Sequence, residues 1–208
     1  MKAEMVKELF AVLALRYPDP KPELNYQNSF QLLIATMLSA QSTDKQVNRI
    51  TEKLFRKYPC PEDYVGLSPE QLEQDIRGCG LYKNKAKNII ATCQLLVDQF
   101  GSEVPPSREH LMSLPGVGRK TANVVLANAF GIPAFAVDTH VFRVANRLGL
   151  AVSENVLDTE QQLMAVTPTR QWSDAHHWLL FLGRYTCQAK KPKCAECPVQ
   201  HLCQSHKL

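Results

Sequence analysis

Apolar residues along the chain recur three and four positions apart, the spacing that lines one face of an α-helix. Strict alternation, the mark of a half-buried strand, is almost absent. Val6, Leu9, Phe10 and Leu13 predict an amphipathic helix over 2–15, stopped by the prolines at 18, 20 and 22. Residues 29–40 are nearly all apolar, which predicts a helix buried on most sides. A third helix runs from Thr43 or Asp44 as cap to about Tyr58. Ser68-Pro69-Glu70-Gln71 combines a cap, a proline in the first turn and a glutamine three residues on. A helix therefore starts there and ends near Gly78. Further helices are predicted over 84–100 (closed by Gly101), 107–113, 119–130, 138–148, 155–166 and 173–185. The tail, 187–206, carries no periodicity. The expected fold class is all-α.

The chain has 208 residues, room for one domain or two small ones. A hydrophobic fraction of 45 % with 21 % charged residues disfavours disorder. The best apolar runs, Leu32–Leu38 and Trp178–Leu182, fall far short of the ~20 residues a bilayer requires, so no membrane partner is expected. The opening Met1-Lys2-Ala3-Glu4 lacks the apolar stretch of a secretion signal, which points to an intracellular protein. Disulfides are rare in such a compartment, so seven cysteines need another role. The net charge of +4 permits a nucleic-acid partner without establishing one.

Four of the cysteines close the chain as Cys187-x6-Cys194-x2-Cys197-x5-Cys203, a pattern suited to a metal clasp. Zinc and an iron–sulfur cluster both use such sets. The single Cys-x2-Cys knuckle leans towards iron–sulfur and leaves zinc open. Cys60, Cys79 and Cys93 are dispersed and receive no function.

Leu114-Pro115-Gly116-Val117-Gly118-Arg119-Lys120-Thr121-Ala122 joins a short helix to a long one. Glycines two apart allow a sharp turn, and Gly118 leads into a helix start that presents N–H donors to an anion. A DNA phosphate suits this helix–hairpin–helix pattern. Lys120 in the first turn is either a phosphate contact or a nucleophile. An amine attacks only when neutral, and the helix start and Arg119 both disfavour the ammonium form. Such an amine could form a Schiff base with a sugar C1′. Asp138 opens Val137-Asp138-Thr139-His140-Val141-Phe142-Arg143-Val144 as an N-cap. A carboxylate there could also support a developing oxocarbenium ion.

Five segments together are similar to the iron–sulfur members of the helix–hairpin–helix DNA glycosylase superfamily. They are Leu38–Asp44 (LSAQSTD), Gly80-Leu81-Tyr82, Leu114–Ala122, Val137–Val144 and the cysteine tail. The resemblance covers essentially the whole chain. It implies two helical lobes with a DNA-binding cleft between them: a six-helix barrel over 22–132, and a discontinuous iron–sulfur lobe of 1–21 plus 133–208. It implies a 4Fe–4S cluster on Cys187, Cys194, Cys197 and Cys203. The implied activity is base-excision repair by a glycosylase and apurinic/apyrimidinic lyase, on duplex DNA with damaged pyrimidines or abasic sites. Lys120 matches the nucleophile and Asp138 the essential carboxylate. Gln41 and Leu81 match residues that fill the gap left by the extruded base, and Tyr82 the pocket wall; an ordinary loop amide and a core leucine are the simpler alternatives. Gly116, Gly118, Arg119 and Thr121 are expected at phosphates, with Lys190, Lys191 and Lys193 of the cysteine loop. Asp44 and His140 are expected as polar support, and His176 and His177 as structural residues. A monomer in a prokaryotic cytoplasm, associated with the nucleoid, completes the expectation. The alternatives are a monofunctional glycosylase on the same scaffold, a non-catalytic damage-binding iron–sulfur protein and a zinc module.

Overall fold

The computed structural model describes residues 1–206 and contains ten α-helices and no strand among them. In chain order these are α1 (Ala3–Arg16), α2 (Ser29–Ser39), α3 (Asp44–Lys57), α4 (Pro69–Ile76), α5 (Tyr82–Phe100), α6 (Arg108–Ser113), α7 (Arg119–Ala129), α8 (Thr139–Leu148), α9 (Val156–Val166) and α10 (Trp172–Tyr185). The chain divides into two compact units, one of residues 22–132 and one of 1–21 with 133–208. No described helix is long and apolar enough to cross a membrane.

The 22–132 unit is built of α2–α7. Every side chain of α2 from Phe30 to Leu38 is buried, because α3, α5 and α7 pack around it. The near-continuous apolar run predicted this. Polar residues at the helix starts do the capping. Asn28 accepts from Gln31, Thr43 (not Asp44) from Gln46, and Ser68 and Gln71 form the reciprocal box. Each such cap contributes about 1 kcal/mol.

The second unit gathers α1, α8, α9 and α10 around one core. Leu9 and Leu13 of α1 meet Val141 and Val144 of α8 and Leu179 and Leu182 of α10, with Phe135 at 0 % exposure among them. Cys187, Cys197 and Cys203 pack against the edge of this core. The tail that lacked periodicity folds as short 3₁₀ turns at Cys194–Glu196, Gln200–Leu202 and Gln204–His206.

One helix starts earlier than the sequence indicates. The expected start at Asn84 lies two residues inside α5, which begins at Tyr82. Its N-cap is Leu81, in the left-handed region and without a capping side chain, so nothing in the residue types marks the boundary.

Candidate active site and cluster loop

The hairpin between α6 and α7 is fixed from α5. Thr92 Oγ1 donates to Pro115 O at 2.9 Å, and Leu114 and Val117 are buried beneath the turn. Gly116 has φ +77°, and a Cβ there would lie 2.7 Å from Asn88 Nδ2. Backbone conformation and space both demand glycine. Gly118 is the N-cap of α7 and offers no side chain to the helix start. The first N–H groups of a helix lack intrahelical partners, so an uncapped start suits an anion. Arg119, Lys120 and Thr121 form that first turn, each half-buried.

Asp138 belongs to the other unit. A buried extended stretch, Ala134 to Val137, leads into it and is held where the ring nitrogen Nδ1 of His176 meets Ala136 O at 2.7 Å. Asp138 Oδ1 accepts from the N–H groups of both His140 and Val141, at 2.9 and 2.8 Å. Oδ2 takes no hydrogen bond among the described residues. One oxygen therefore caps α8, and the cap leaves the other unused. Asp138→Asn keeps the cap, since Asn and Asp are equivalent there, and removes only the charge. We expect base release to slow about 10²–10³-fold, measured in a single turnover, with affinity for abasic DNA and thermal midpoint nearly unchanged. A collapse of affinity would make Asp138 structural. His140 Nδ1 lies 3.2 Å from Arg143 Nη2, which donates to it.

Gln41 and Leu81 sit on neighbouring loops of the 22–132 unit, tied by Gly80 N–H donating to Ser42 Oγ at 3.0 Å. Both have positive φ, +54° and +57°. Leu81 is 54 % exposed, so it is not a core leucine. Tyr82 is half-buried at the start of α5, and Asp44 is the first residue of α3.

The four tail cysteines line one hollow together with Leu148, Leu182 and Pro192. Burial pushes the Cys197 thiol up, and the other three cysteines add to this. A single tetrahedral zinc holds its sulfurs at about 2.3 Å from the ion, which crowds them together. Among the described residues no group of three His, Cys, Asp or Glu side chains is placed to hold a single ion. A cluster puts each thiolate on its own iron, and four thiols lining one hollow are the donor set it takes. Lys190, Lys191 and Lys193 are exposed on the loop, Lys193 Nζ lying 4.0 Å from Glu196 Oε2.

Two family models match the chain. Residues 34–169 match the HhH-GPD superfamily of base excision DNA repair proteins, and 187–203 match the iron–sulfur binding domain of endonuclease III. Endonuclease III of Bacillus subtilis is 52 % identical over 189 residues, which is 90 % of this chain and 86 % of that protein. The chain belongs to the endonuclease III family. Endonuclease III of Escherichia coli K12 is 48 % identical, covering 95 % of this chain and 93 % of its own length. A solved structure of a trapped endonuclease III–DNA covalent intermediate, the estranged-adenine complex, superposes with TM-score 0.95 at 50 % identity. It covers all of this chain and 98 % of that one. As an endonuclease III family member the chain carries a 4Fe–4S cluster, and the set of four thiols fits it.

Sequence reasoning gave no role to two residues that hold the tail. Arg143 and Arg147, one turn apart on α8, grip the start of the endonuclease III cluster loop. Arg143 donates to the carbonyls of Cys187 and Gly183 at 3.1 and 2.9 Å. Arg147 donates to those of Gln188 and Ala189 at 2.8 and 3.1 Å, and to the Cys187 sulfur at 3.5 Å. Two arginines four apart on an amphipathic helix were the only available signal, and that pattern ordinarily marks a solvated face.

Proposed function

We propose that this chain removes oxidised pyrimidines from duplex DNA and nicks the strand 3′ to the abasic site, with Lys120 as nucleophile and Asp138 as the assisting carboxylate. The observation that carries the reading is the full-length likeness to an endonuclease III trapped covalently on DNA, joined to a lysine in the first turn of an uncapped hairpin helix. Extruding the target nucleotide costs least when damage has weakened its stacking. The neutral Lys120 amine then attacks C1′, and the base departs with the glycosidic electron pair and takes up a proton. The developing positive charge on the sugar is stabilised by the carboxylate of Asp138. Ring opening gives a protonated imine between Lys120 and C1′. That imine acidifies the C2′ proton, whose loss expels the 3′ phosphate. Hydrolysis returns the amine.

Gln41 and Leu81 fill the gap left by the base, Tyr82 walls the damage pocket, and Asp44 and His140 support the site. Backbone and side chains of Gly116, Gly118, Arg119 and Thr121 contact phosphates, as do Lys190, Lys191 and Lys193. Cys187, Cys194, Cys197 and Cys203 ligate the cluster, which when bound supplies a rigid cross-link for the tail. The enzyme acts as a monomer on nucleoid DNA in a prokaryotic cytoplasm. The test is borohydride trapping on a duplex with one thymine glycol. A covalent adduct supports both the lyase and its substrate class. An adduct only with an abasic duplex rejects the substrate class, and no adduct with either rejects the lyase.

A further inference from the structure

The loops that carry Gln41 and Leu81 are joined by one buried lysine. Lys85 lies in the first turn of α5 and is 7 % exposed. Its amine reaches back to the end of α2, where it donates to Leu38 O at 2.7 Å, Ala40 O at 2.6 Å and Ser42 Oγ at 3.2 Å. An ammonium has three N–H donors, so all are used. The two carbonyls are those a helix end leaves without intrahelical partners, and a cation there is favoured by the helix dipole.

Ser42 completes the link. Its oxygen accepts from Lys85 and from the Gly80 N–H. The loops also touch directly, since a Cβ on Gly80 would fall 2.7 Å from Gln41 O. At either end of this network stands a residue with a left-handed backbone, Gln41 and Leu81. Side chains disfavour that conformation, which persists only where the surroundings impose it. Both residues point their exposure at solvent, so neither is held there for the sake of the core. Burial pushes the Lys85 amine's pKa down, a cost that an apolar residue at this place would not carry.

We propose that Lys85 is a positioning residue which, through Ser42, locks Gln41 and Leu81 into a single rigid wedge, so that both enter the DNA gap together and hold the damaged nucleotide extruded. The proposal rests on the assignment of Gln41 and Leu81 as gap-filling residues. Without the lock, two loop residues must be ordered at the moment of insertion. Each residue ordered lowers the population of the productive state by roughly ten-fold.

The experiment uses the full-length enzyme with its cluster and the variants Lys85→Met, Ser42→Ala and Leu81→Ala. Substrates are a thymine-glycol duplex with 2-aminopurine beside the lesion, and an abasic site in single-stranded DNA, which has no gap to fill. For Lys85→Met, duplex excision falls on the order of ten-fold or more relative to single-strand cleavage. The 2-aminopurine fluorescence rise on binding is lost with it. In a Leu81→Ala background, Lys85→Met costs less than it does alone, because part of its effect runs through Leu81. Equal losses on both substrates would make the lysine a fold-stabilising residue only. Additive losses with Leu81→Ala would separate it from the wedge, and either result overturns the proposal. Undiminished duplex excision by Leu81→Ala itself removes the gap-filling assignment, and the lysine's role goes with it. If Lys85→Met does not fold, Ser42→Ala breaks only the bridge and carries the same comparison.

Discussion

Lys120→Ala binds abasic DNA but forms no borohydride-stable adduct and leaves the strand uncut. Alanine is the best helix former, so the first turn of α7 survives the change, as do its backbone donors. Gly116 and the Thr92 bond that shape the hairpin are untouched. What disappears is the amine. Loss of a nucleophile that opens a covalent pathway costs about 10⁴-fold or more in the chemical step, far beyond a phosphate contact. A phosphate contact alone would weaken binding evenly and flatten the salt slope by about 1. The two roles are therefore separated by measuring single-turnover cleavage and the salt dependence of binding on the same preparation. Cleavage within ten-fold of wild type would return Lys120 to the phosphate role.

Cys197→Ser yields colourless protein whose tail has come loose. Cys197 is half-buried against the core of α1, α8 and α10, and a cluster bound there contributes directly to folding. Its loss does not free the loop uniformly. Arg143 and Arg147 hold the backbone of 187–189 from α8 whether or not metal is present. Beyond Ala189 the hold on 190–196 is sparser, Lys193 N–H donating to Thr186 O, before Val199 and Leu202 join the core. Trypsin should therefore cut the variant after Lys190 and Lys193 at least about ten times faster than wild type, while α8 and α10 stay intact. The bond after Lys191 is spared because Pro192 follows it. Peptide mapping during a short digest gives the answer. A brown, active, protease-resistant variant would exclude Cys197 as a ligand.

Helix boundaries were legible in the sequence wherever a polar cap or a glycine marks them. Ser68 with Gln71, Thr43, Gly101 and Gly149 all stand where their chemistry indicates. The chemistry-bearing motifs were legible for a related reason. Paired glycines before Lys120 and four clustered cysteines are local patterns with few other uses. The supports were not. Leu81 in a left-handed N-cap is forced by Gly80 and Ser42, contacts that span 38 residues. Lys85 reads in the sequence as one more surface lysine in Tyr82–Lys87. Its burial follows from the end of α2 lying 45–47 residues back. His176, expected as structural, holds the approach to Asp138 from 40 residues away, but its partner Ala136 could not be named from sequence. First contacts of a site are carried by residue type, while the groups that orient them are carried by tertiary packing.

The joining of α1 to the far end of the chain bears on how the molecule is made. Trp178 Nε1–H donates to Tyr17 O across 161 residues, and Phe10 and Tyr17 meet the rings of Trp178 and Phe181 at 5.9 and 5.6 Å. At about 5–20 residues per second, a ribosome delivers those partners roughly ten to thirty seconds after α1 has emerged. Throughout that interval Val6, Leu9, Phe10 and Leu13 have none of their final neighbours on α10. Residues 22–132, by contrast, are complete in themselves once Ile132 is made. Synthesis therefore produces a finished central unit preceded by an apolar helix awaiting its seat, and chaperone demand should concentrate on that first helix.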